Sequence, residues 1–93
     1  MHVNFYATFR QQAGVKSIEL DMPKEPTMRQ AVDAIIAVVP ALKSIWLTDE
    51  GEIQNYVYGF INGTDVSTLP DGWETSLKPD DVLDFLPPVA GGS

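Results

Sequence analysis

The residues best suited to chemistry stand at the end of the chain, where Gly91 and Gly92 precede Ser93. Glycine has no side chain and adopts backbone angles closed to other residues, so a di-glycine segment can enter a narrow channel. A carboxylate at Gly92 would be a poor electrophile. A partner that converts it with ATP to an acyl-adenylate would activate it for attack by a sulfur nucleophile, which would leave a thiocarboxylate. The chain would then be substrate and carrier rather than catalyst.

The segment that leads to the two glycines has the reach that this chemistry needs. Pro87 and Pro88 stiffen its start and cannot extend a central strand. Six extended residues span roughly 20 Å. We therefore expect a globular domain over residues 1–86 and a flexible tail over residues 87–93. The competing interpretation is that Gly-Gly-Ser is an inert end or linker.

Composition excludes several classes of function. The 93 residues carry thirteen acidic and six basic side chains, a net charge of -7. Such a charge disfavours nucleic acid and anionic membrane as partners and favours a basic protein surface. With no cysteine and only His2 as histidine, thiolate metal sites, disulfides and Ser-His-Asp triads are excluded. No metal and no bound cofactor are expected, and a cytoplasmic protein is the default.

Acidic residues near the end of the chain fit a solvated surface better than a cation site. Asp80 and Asp81 are expected in a solvated turn, and Asp84 on the open face of a sheet. The spacing of a calcium-binding loop is absent.

Alternation of apolar and polar residues predicts five strands. The predicted ranges are 3–9, 16–21, 56–61, 65–67 and 82–86, and Asn62-Gly63 between two of them is a strong hairpin signal. Gly14 marks a break after the first strand, and Trp73 is expected to fill the edge of the core.

One main helix is predicted after Thr27, which with Gln30 forms the pattern of a capping box. Pro40 is expected to end it. The apolar residues at helical spacing are Met28, Ala31, Val32, Ile35, Ile36 and Val39. A single helix covering a mixed sheet of about five strands indicates an α+β roll of the β-grasp, ubiquitin-like type. Its helix should pack on Phe5, Val57, Ile61, Leu83 and Phe85.

The third predicted strand carries aromatic residues on one face. Tyr56, Tyr58 and Phe60 alternate with Val57 and Ile61. If the aliphatic face meets the helix, the aromatic face points outward and could form an apolar docking patch beside the tail with Tyr6 and Leu86. Ordinary cross-strand aromatic pairing on an open sheet is the alternative.

Two segments resemble a known family, the molybdopterin synthase small subunits and related ThiS/MoaD-like sulfur carriers. The specific segment is residues 81–92, read as Asp-Val-Leu-Asp-Phe-Leu-Pro-Pro-Val-Ala-Gly-Gly. Residues 5–14 are similar to the family's first strand and the short helical turn that follows it. The capped helix and the Asn62-Gly63 turn occur in the expected order, so the resemblance covers essentially the whole chain.

The resemblance implies a role for each part of the tail. Gly92 would carry the acyl-adenylate and then the thiocarboxylate, Gly91 would give the tail its freedom, and an E1-like (MoeB/ThiF-like) adenylating enzyme would use the ATP. The acceptor would be the large subunit of molybdopterin synthase, with this chain as its non-catalytic small subunit. Ser93 departs from the pattern, so a protease would remove it unless it is an added residue. The expected partner-binding residues are Leu86, Phe60, Tyr58, Pro87, Pro88, Val89 and Ala90.

Two alternative functions remain open. One is a sulfur carrier for thiamin, tRNA thiolation or cysteine synthesis, or a ubiquitin-like protein modifier, which would use the same tail chemistry. The other is a β-grasp binding module with an inert tail.

Overall fold

Alternating buried and exposed side chains build a five-stranded mixed sheet in the computed structural model, which describes residues 1–22 and 24–88. The sheet order is β2-β1-β5-β3-β4, with β1 parallel to β5 and the other pairs antiparallel. The α+β, β-grasp prediction is confirmed. The strands are β1 His2–Phe5, β2 Ser17–Glu19, β3 Tyr58–Ile61, β4 Thr64–Asp65 and β5 Val82–Leu86, and the helices are α1 Ala7–Ala13, α2 Met28–Val38 and α3 Lys43–Trp46.

Strand β5 occupies the centre of the sheet over the predicted residues 82–86. Leu83 and Phe85 are fully buried against the helices, while Asp84 and Leu86 are half-buried on the opposite face. Since β5 has a neighbour on both sides, the C-terminal segment leaves the domain from the middle of the sheet.

Helix α2 follows the sequence prediction closely. The Gln30 amide donates to Thr27 Oγ1 over 3.1 Å, and the Thr27 amide donates to Gln30 Oε1 over 2.9 Å, so the capping box is complete. The helix ends at Val38, two residues before Pro40. Ala31, Val32 and Ile35 are fully buried, and Ile36 and Val39 are partly buried against the same core. Within residues 1–22 and 24–88, no helix has the length and apolar character to cross a membrane.

The first predicted strand is too long. Strand β1 ends at Phe5, and helix α1 takes up residues 7–13 and buries Phe9 in the core. Gly14 ends this helix with a φ of 78°, a left-handed conformation that glycine adopts without strain. The helical turn implied by the family resemblance is thus confirmed, and the strand prediction over residues 6–9 is wrong.

Trp46 at the end of α3 lies at the centre of the core, a role that the strand and helix patterns did not reveal. It is fully buried, and its ring stacks on Phe85 with 4.7 Å between centroids. Phe9 and Phe5 lie 5.5 and 6.0 Å from it. Offset and edge-on aromatic pairs at such distances add about 0.5–1.5 kcal/mol each beyond the area they bury.

The predicted hairpin forms at Asn62 and Gly63, whose φ angles are 50° and 85°. Strand β4 is shorter than predicted and ends at Asp65, because the Asp65 carboxylate accepts from the Ser67 amide over 2.9 Å and starts a 3-10 helix. Trp73 is partly buried, as expected, and touches the backbone at Gly59, where an added Cβ would lie 2.9 Å from its ring.

The solvated-turn interpretation of Asp80 and Asp81 is half wrong. Asp80 is exposed, whereas Asp81 is buried. Its carboxylate accepts from Asn62 Nδ2 over 2.8 Å and from the Lys78 amide over 2.7 Å. These bonds offset the cost of burying a carboxylate and attach the β3–β4 hairpin to the start of β5.

Replacing Ile35 with Asp should unfold or severely destabilise the protein, because the new charge would be buried without a partner. The expected loss is several kcal/mol, comparable to the total stability of about 5–15 kcal/mol of a small domain. Val38 lies on the same helix but is 59% exposed, so Val38→Asp is the matched control and should change stability little. Thermal and urea unfolding measure both, and equal stability of the two variants would show that the helix face is assigned wrongly.

Candidate functional site

The face of the sheet opposite the helices, here called the open face, carries the predicted docking residues. Tyr58 is paired with Leu86 in the β3–β5 register. Phe5 is the register partner of Phe85, and the amide of the next residue, Tyr6, donates to the Phe85 carbonyl over 3.1 Å. Tyr6 therefore lies beside Leu86, on the side opposite Tyr58. Tyr6 and Tyr58 are 39% and 41% exposed and Leu86 is half-buried. These three side chains form an apolar row across the end of β5.

Phe60 extends this surface by one row toward the middle of the sheet. It is paired with Asp84 and is half-buried. The structure therefore brings the three predicted patch residues, Tyr58, Phe60 and Leu86, onto one face. Whether they bind a partner remains a prediction.

Tyr56 does not share that face, contrary to the strand prediction. It lies in a turn two residues before β3 begins, and its hydroxyl donates to the Ile45 carbonyl of α3. The alternation rule places side chains only where the backbone is extended, so it fails at this residue.

A polar cluster lies beside the apolar row. Asn4 Nδ2 donates to Asp84 Oδ1 over 2.9 Å, and the Tyr6 hydroxyl donates to the same oxygen over 3.2 Å. Burial first, and then the Asp84 charge, raises the pKa of the Tyr6 phenol above its ordinary value. Tyr6 therefore stays a neutral donor at physiological pH, while the guanidinium of Arg10 lies 5.7 Å from the centre of its ring.

The tail begins directly at this surface. Pro87 is half-buried and Pro88 is exposed, immediately after the last residue of β5. The other predicted tail residues, Val89, Ala90, Gly91, Gly92 and Ser93, lie outside the described residues. Strand β5 thus ends next to the apolar row, and the tail itself stays a prediction.

Two further grooves lie on the domain. One is lined by Pro40, Lys43, Ser44 and residues 47–51, on the side of α3, and a smaller one is lined in part by Tyr58 and Trp73. In the part of the chain that the structure describes, no three His, Asp or Glu side chains converge as metal ligands.

Comparison with known proteins identifies the family. The family model described as "ThiS family" matches residues 3–92, nearly the whole chain. The chain belongs to the ThiS family. The ThiS family comprises ubiquitin-fold sulfur carriers and small modifier proteins, and this chain has the fold of the family.

Relatives of this ThiS-family chain include small archaeal modifier proteins and a molybdopterin converting factor subunit. It is 34% identical over 92 residues to small archaeal modifier protein 3 of Haloferax volcanii, covering 99% of this chain and 98% of the relative. The crystal structure of SAMP1 from Haloferax volcanii superposes with a TM-score of 0.87 at 26% identity, covering 98% and 97% of the two chains. A putative molybdopterin converting factor subunit 1 from Pyrococcus furiosus gives 0.73 at 27% identity, covering 95% of each.

The sequence patterns predicted only one member of the polar cluster of this ThiS-family site. Asp84 was expected on the open face, and the structure confirms it. The sequence does not predict Asn4 or Arg10 as members of the site, because each is an isolated polar residue near the N-terminus and its contacts arise from sheet pairing. The Asn4–Asp84 bond joins residues 80 positions apart.

The end of the open face farthest from the tail holds an ion pair. His2 and Glu19 are register partners between β1 and β2, and His2 Nδ1 contacts Glu19 Oε2. The hydrogen bond to Glu19 raises the pKa of His2, and the bond to His2 lowers the pKa of Glu19. The raised His2 pKa stabilises the fold at pH values below the ordinary His pKa, and this stabilisation is lost as pH rises through the pKa of His2 in the folded protein. The lowered Glu19 pKa stabilises the fold at pH values above the ordinary Glu pKa, and this stabilisation is lost as pH falls through the pKa of Glu19 in the folded protein. The pair is thus strongest between the lowered Glu19 pKa and the raised His2 pKa.

Replacing Glu19 with Gln should lower the pKa of His2, because the main cause of its upward shift is removed. NMR titration of the His2 ring measures this directly. Asp21→Asn makes the same change in net charge at an exposed residue of the neighbouring loop and should leave the His2 pKa almost unchanged. An identical His2 titration in wild type and Glu19→Gln would contradict the ion pair.

Proposed function

We propose that this chain is a sulfur carrier whose Gly92 carboxylate is activated by an E1-like enzyme and delivered into the active site of a second protein. The observation that carries the proposal is the start of the tail, at the end of the central strand and beside the apolar row of Tyr6, Leu86 and Tyr58. A partner bound to this row would lie within the reach of six extended residues, roughly 20 Å. Membership of the ThiS family supports the same conclusion.

The proposed reaction has two steps. The Gly92 carboxylate attacks the α-phosphorus of ATP, which releases pyrophosphate and forms an acyl-adenylate. Hydrosulfide then attacks the acyl carbon, the bond to AMP breaks, and loss of the proton from sulfur gives the thiocarboxylate. The ATP and the catalytic groups belong to the partner, and this chain contributes the reacting carbon and its positioning.

The open face would serve each partner in turn. Tyr58, Phe60 and Leu86 offer a partly apolar surface of the kind that contributes binding energy in the centre of an interface. Because the adenylating enzyme and the sulfur acceptor must both receive the same tail, both would bind beside its origin. The two complexes would then exclude each other, so that the loaded carrier must dissociate before it donates sulfur.

The acceptor we propose is a pterin precursor held by the large subunit of molybdopterin synthase. The segment from Phe85 to Gly92 and the similarity to the Pyrococcus furiosus converting factor support it. A second candidate is supported by the similarity to small archaeal modifier protein 3, namely conjugation of Gly92 to a lysine amine of another protein. Both candidates begin with the same activated carboxylate. In the carrier route sulfur attacks the acyl carbon and is then passed to the pterin precursor, whereas in the modifier route a lysine amine forms an amide with the acyl carbon.

Deleting Ser93 should give a chain that an E1-like enzyme adenylates with ATP and, with a sulfur donor, converts to a thiocarboxylate. Intact mass spectrometry would show the change of one oxygen for sulfur. Removing Gly92 as well should slow the reaction about a hundredfold or more, because the reacting carbon is misplaced by a whole residue. The chain ending in Ser93 should not react until a protease trims it.

The same loaded chain separates the two candidate acceptors. Transfer of sulfur to the pterin precursor, with release of the unmodified carboxylate, supports the carrier. An isopeptide between Gly92 and a protein lysine supports the modifier. A thiocarboxylate formed on Ser93 as readily as on Gly92 would refute the role of the di-glycine end.

Replacing Leu86 with Arg should weaken the complex with the adenylating enzyme by about 1–4 kcal/mol, as expected for the loss of a central apolar contact. Val82→Arg is the control, since Val82 lies on the same strand and the same face but at the end away from the tail, and is 36% exposed. Calorimetric titration measures both affinities, and circular dichroism checks the fold. Equal affinity for Leu86→Arg and wild type would exclude the apolar row as the docking surface.

A further inference from the structure

Asp84 is a charged residue in the middle of the surface proposed for docking. Docking through the apolar row alone gives no role to this carboxylate. It lies on the central strand in register with Asn4 on one side and Phe60 on the other. Leu86, two residues further on, shares its face. Two of these three neighbours, Phe60 and Leu86, are apolar, which is an unfavourable environment for a carboxylate that a partner would cover.

The carboxylate is held in one orientation. Asn4 Nδ2 and the Tyr6 hydroxyl both donate to Oδ1, over 2.9 and 3.2 Å. Among the described residues no hydrogen bond reaches Oδ2. Two donors on one oxygen fix the plane of the group and leave the second oxygen for an incoming donor.

Two basic residues lie near this cluster, Arg10 and His2, and both are engaged elsewhere. Arg10 donates from Nε to the Phe5 carbonyl over 3.0 Å, and its guanidinium lies over the Tyr6 ring. The ion pairs found in residues 1–22 and 24–88 are His2–Glu19 and Arg29–Asp33, and neither includes Asp84. Binding of a partner would take the Asp84 charge out of water, which costs free energy that a cation of the partner placed at that point would offset.

We propose, on the basis of the proposed function, that Asp84 is the charged anchor of the open face and that the adenylating enzyme places an arginine against its Oδ2 within an apolar recess. A guanidinium fits better than an ammonium because its planar fork pairs with a carboxylate and stacks on an aromatic ring, here that of Phe60. The net charge of -7 favours a basic partner in general, and Asp84 gives that attraction a fixed position on the sheet. The anchor sets the orientation in which the tail enters the partner.

The competing explanation is that Asp84 only stabilises the sheet through its bonds to Asn4 and Tyr6. Asp84→Asn separates the two roles, because the amide oxygen can still accept both hydrogen bonds while the charge is lost. Asp80→Asn is the matched control: it makes the same change in net charge at an exposed residue just before β5, at the end away from the tail.

The test is calorimetric titration of each variant, with Ser93 removed, against the E1-like enzyme encoded in the same genome, at two salt concentrations. Asp84→Asn should raise Kd roughly tenfold or more and reduce its salt dependence, whereas Asp80→Asn should stay within about twofold of wild type. Unchanged affinity for Asp84→Asn, or an equal loss for both variants, would overturn the anchor.

Asp84→Ser provides a second removal of the charge should the Asn variant unfold, and its thermal midpoint is compared with that of wild type beforehand. A folded Asp84→Ser chain that binds like wild type would also overturn the anchor. Failure of the proposed function would look different. The wild-type chain ending at Gly92 would then neither bind the enzyme nor gain sulfur, whatever residue stands at position 84.

Discussion

Parallel pairing of β1 with β5 is the constraint on which the rest of this structure depends. It joins the two ends of the domain residue by residue, from His2 opposite Val82 to Phe5 opposite Phe85. Parallel neighbours need a long connection between them, and here the chain between them forms helix α1, strand β2, helices α2 and α3, and the β3–β4 hairpin. Strand β5 is consequently enclosed by β1 and β3, and the segment after Leu86 can leave only from the sheet centre. Pro87 and Pro88 prevent further strand pairing there.

The two faces of β5 serve different purposes. Phe85 points into the core, where it stacks on Trp46 and anchors the strand to the helical layer. The Trp46 indole nitrogen has no acceptor among the described residues, so this contact is maintained by packing rather than hydrogen bonding. Asp84 and Leu86 point the other way, into the open face. A strand fixed on one side by aromatic packing gives the other side, and the origin of the tail, a well-defined position. In the function proposed here, recognition by the open face and reaction at the tail would be separate properties of one small domain.

Local sequence signals predicted several elements correctly because each depends on neighbouring residues alone. The Thr27–Gln30 capping box started α2, and Pro40 limited its end. Asn62-Gly63 produced the hairpin because both residues occupy positive φ. Strand β5 was predicted with its full bounds since its apolar residues alternate without interruption. The order of these elements along the chain, with one well-capped helix among them, was sufficient to indicate the β-grasp fold.

The sequence by itself determined the fold class, the main helix, the central strand and the chemical character of the tail. The tertiary structure alone decided which isolated residues meet. Phe9 continued the alternation of β1, yet it lies on a helix because burying its ring beside Trp46 outweighs the local strand pattern. Asp81 was predicted to be solvated, but in the folded sheet Asn62 lies beside it and donates a hydrogen bond to its carboxylate. The contact of Asn4 with Asp84 spans 80 positions, and no local rule reaches that far. Such contacts depend on strand order and register, which are set by the packing of the whole chain.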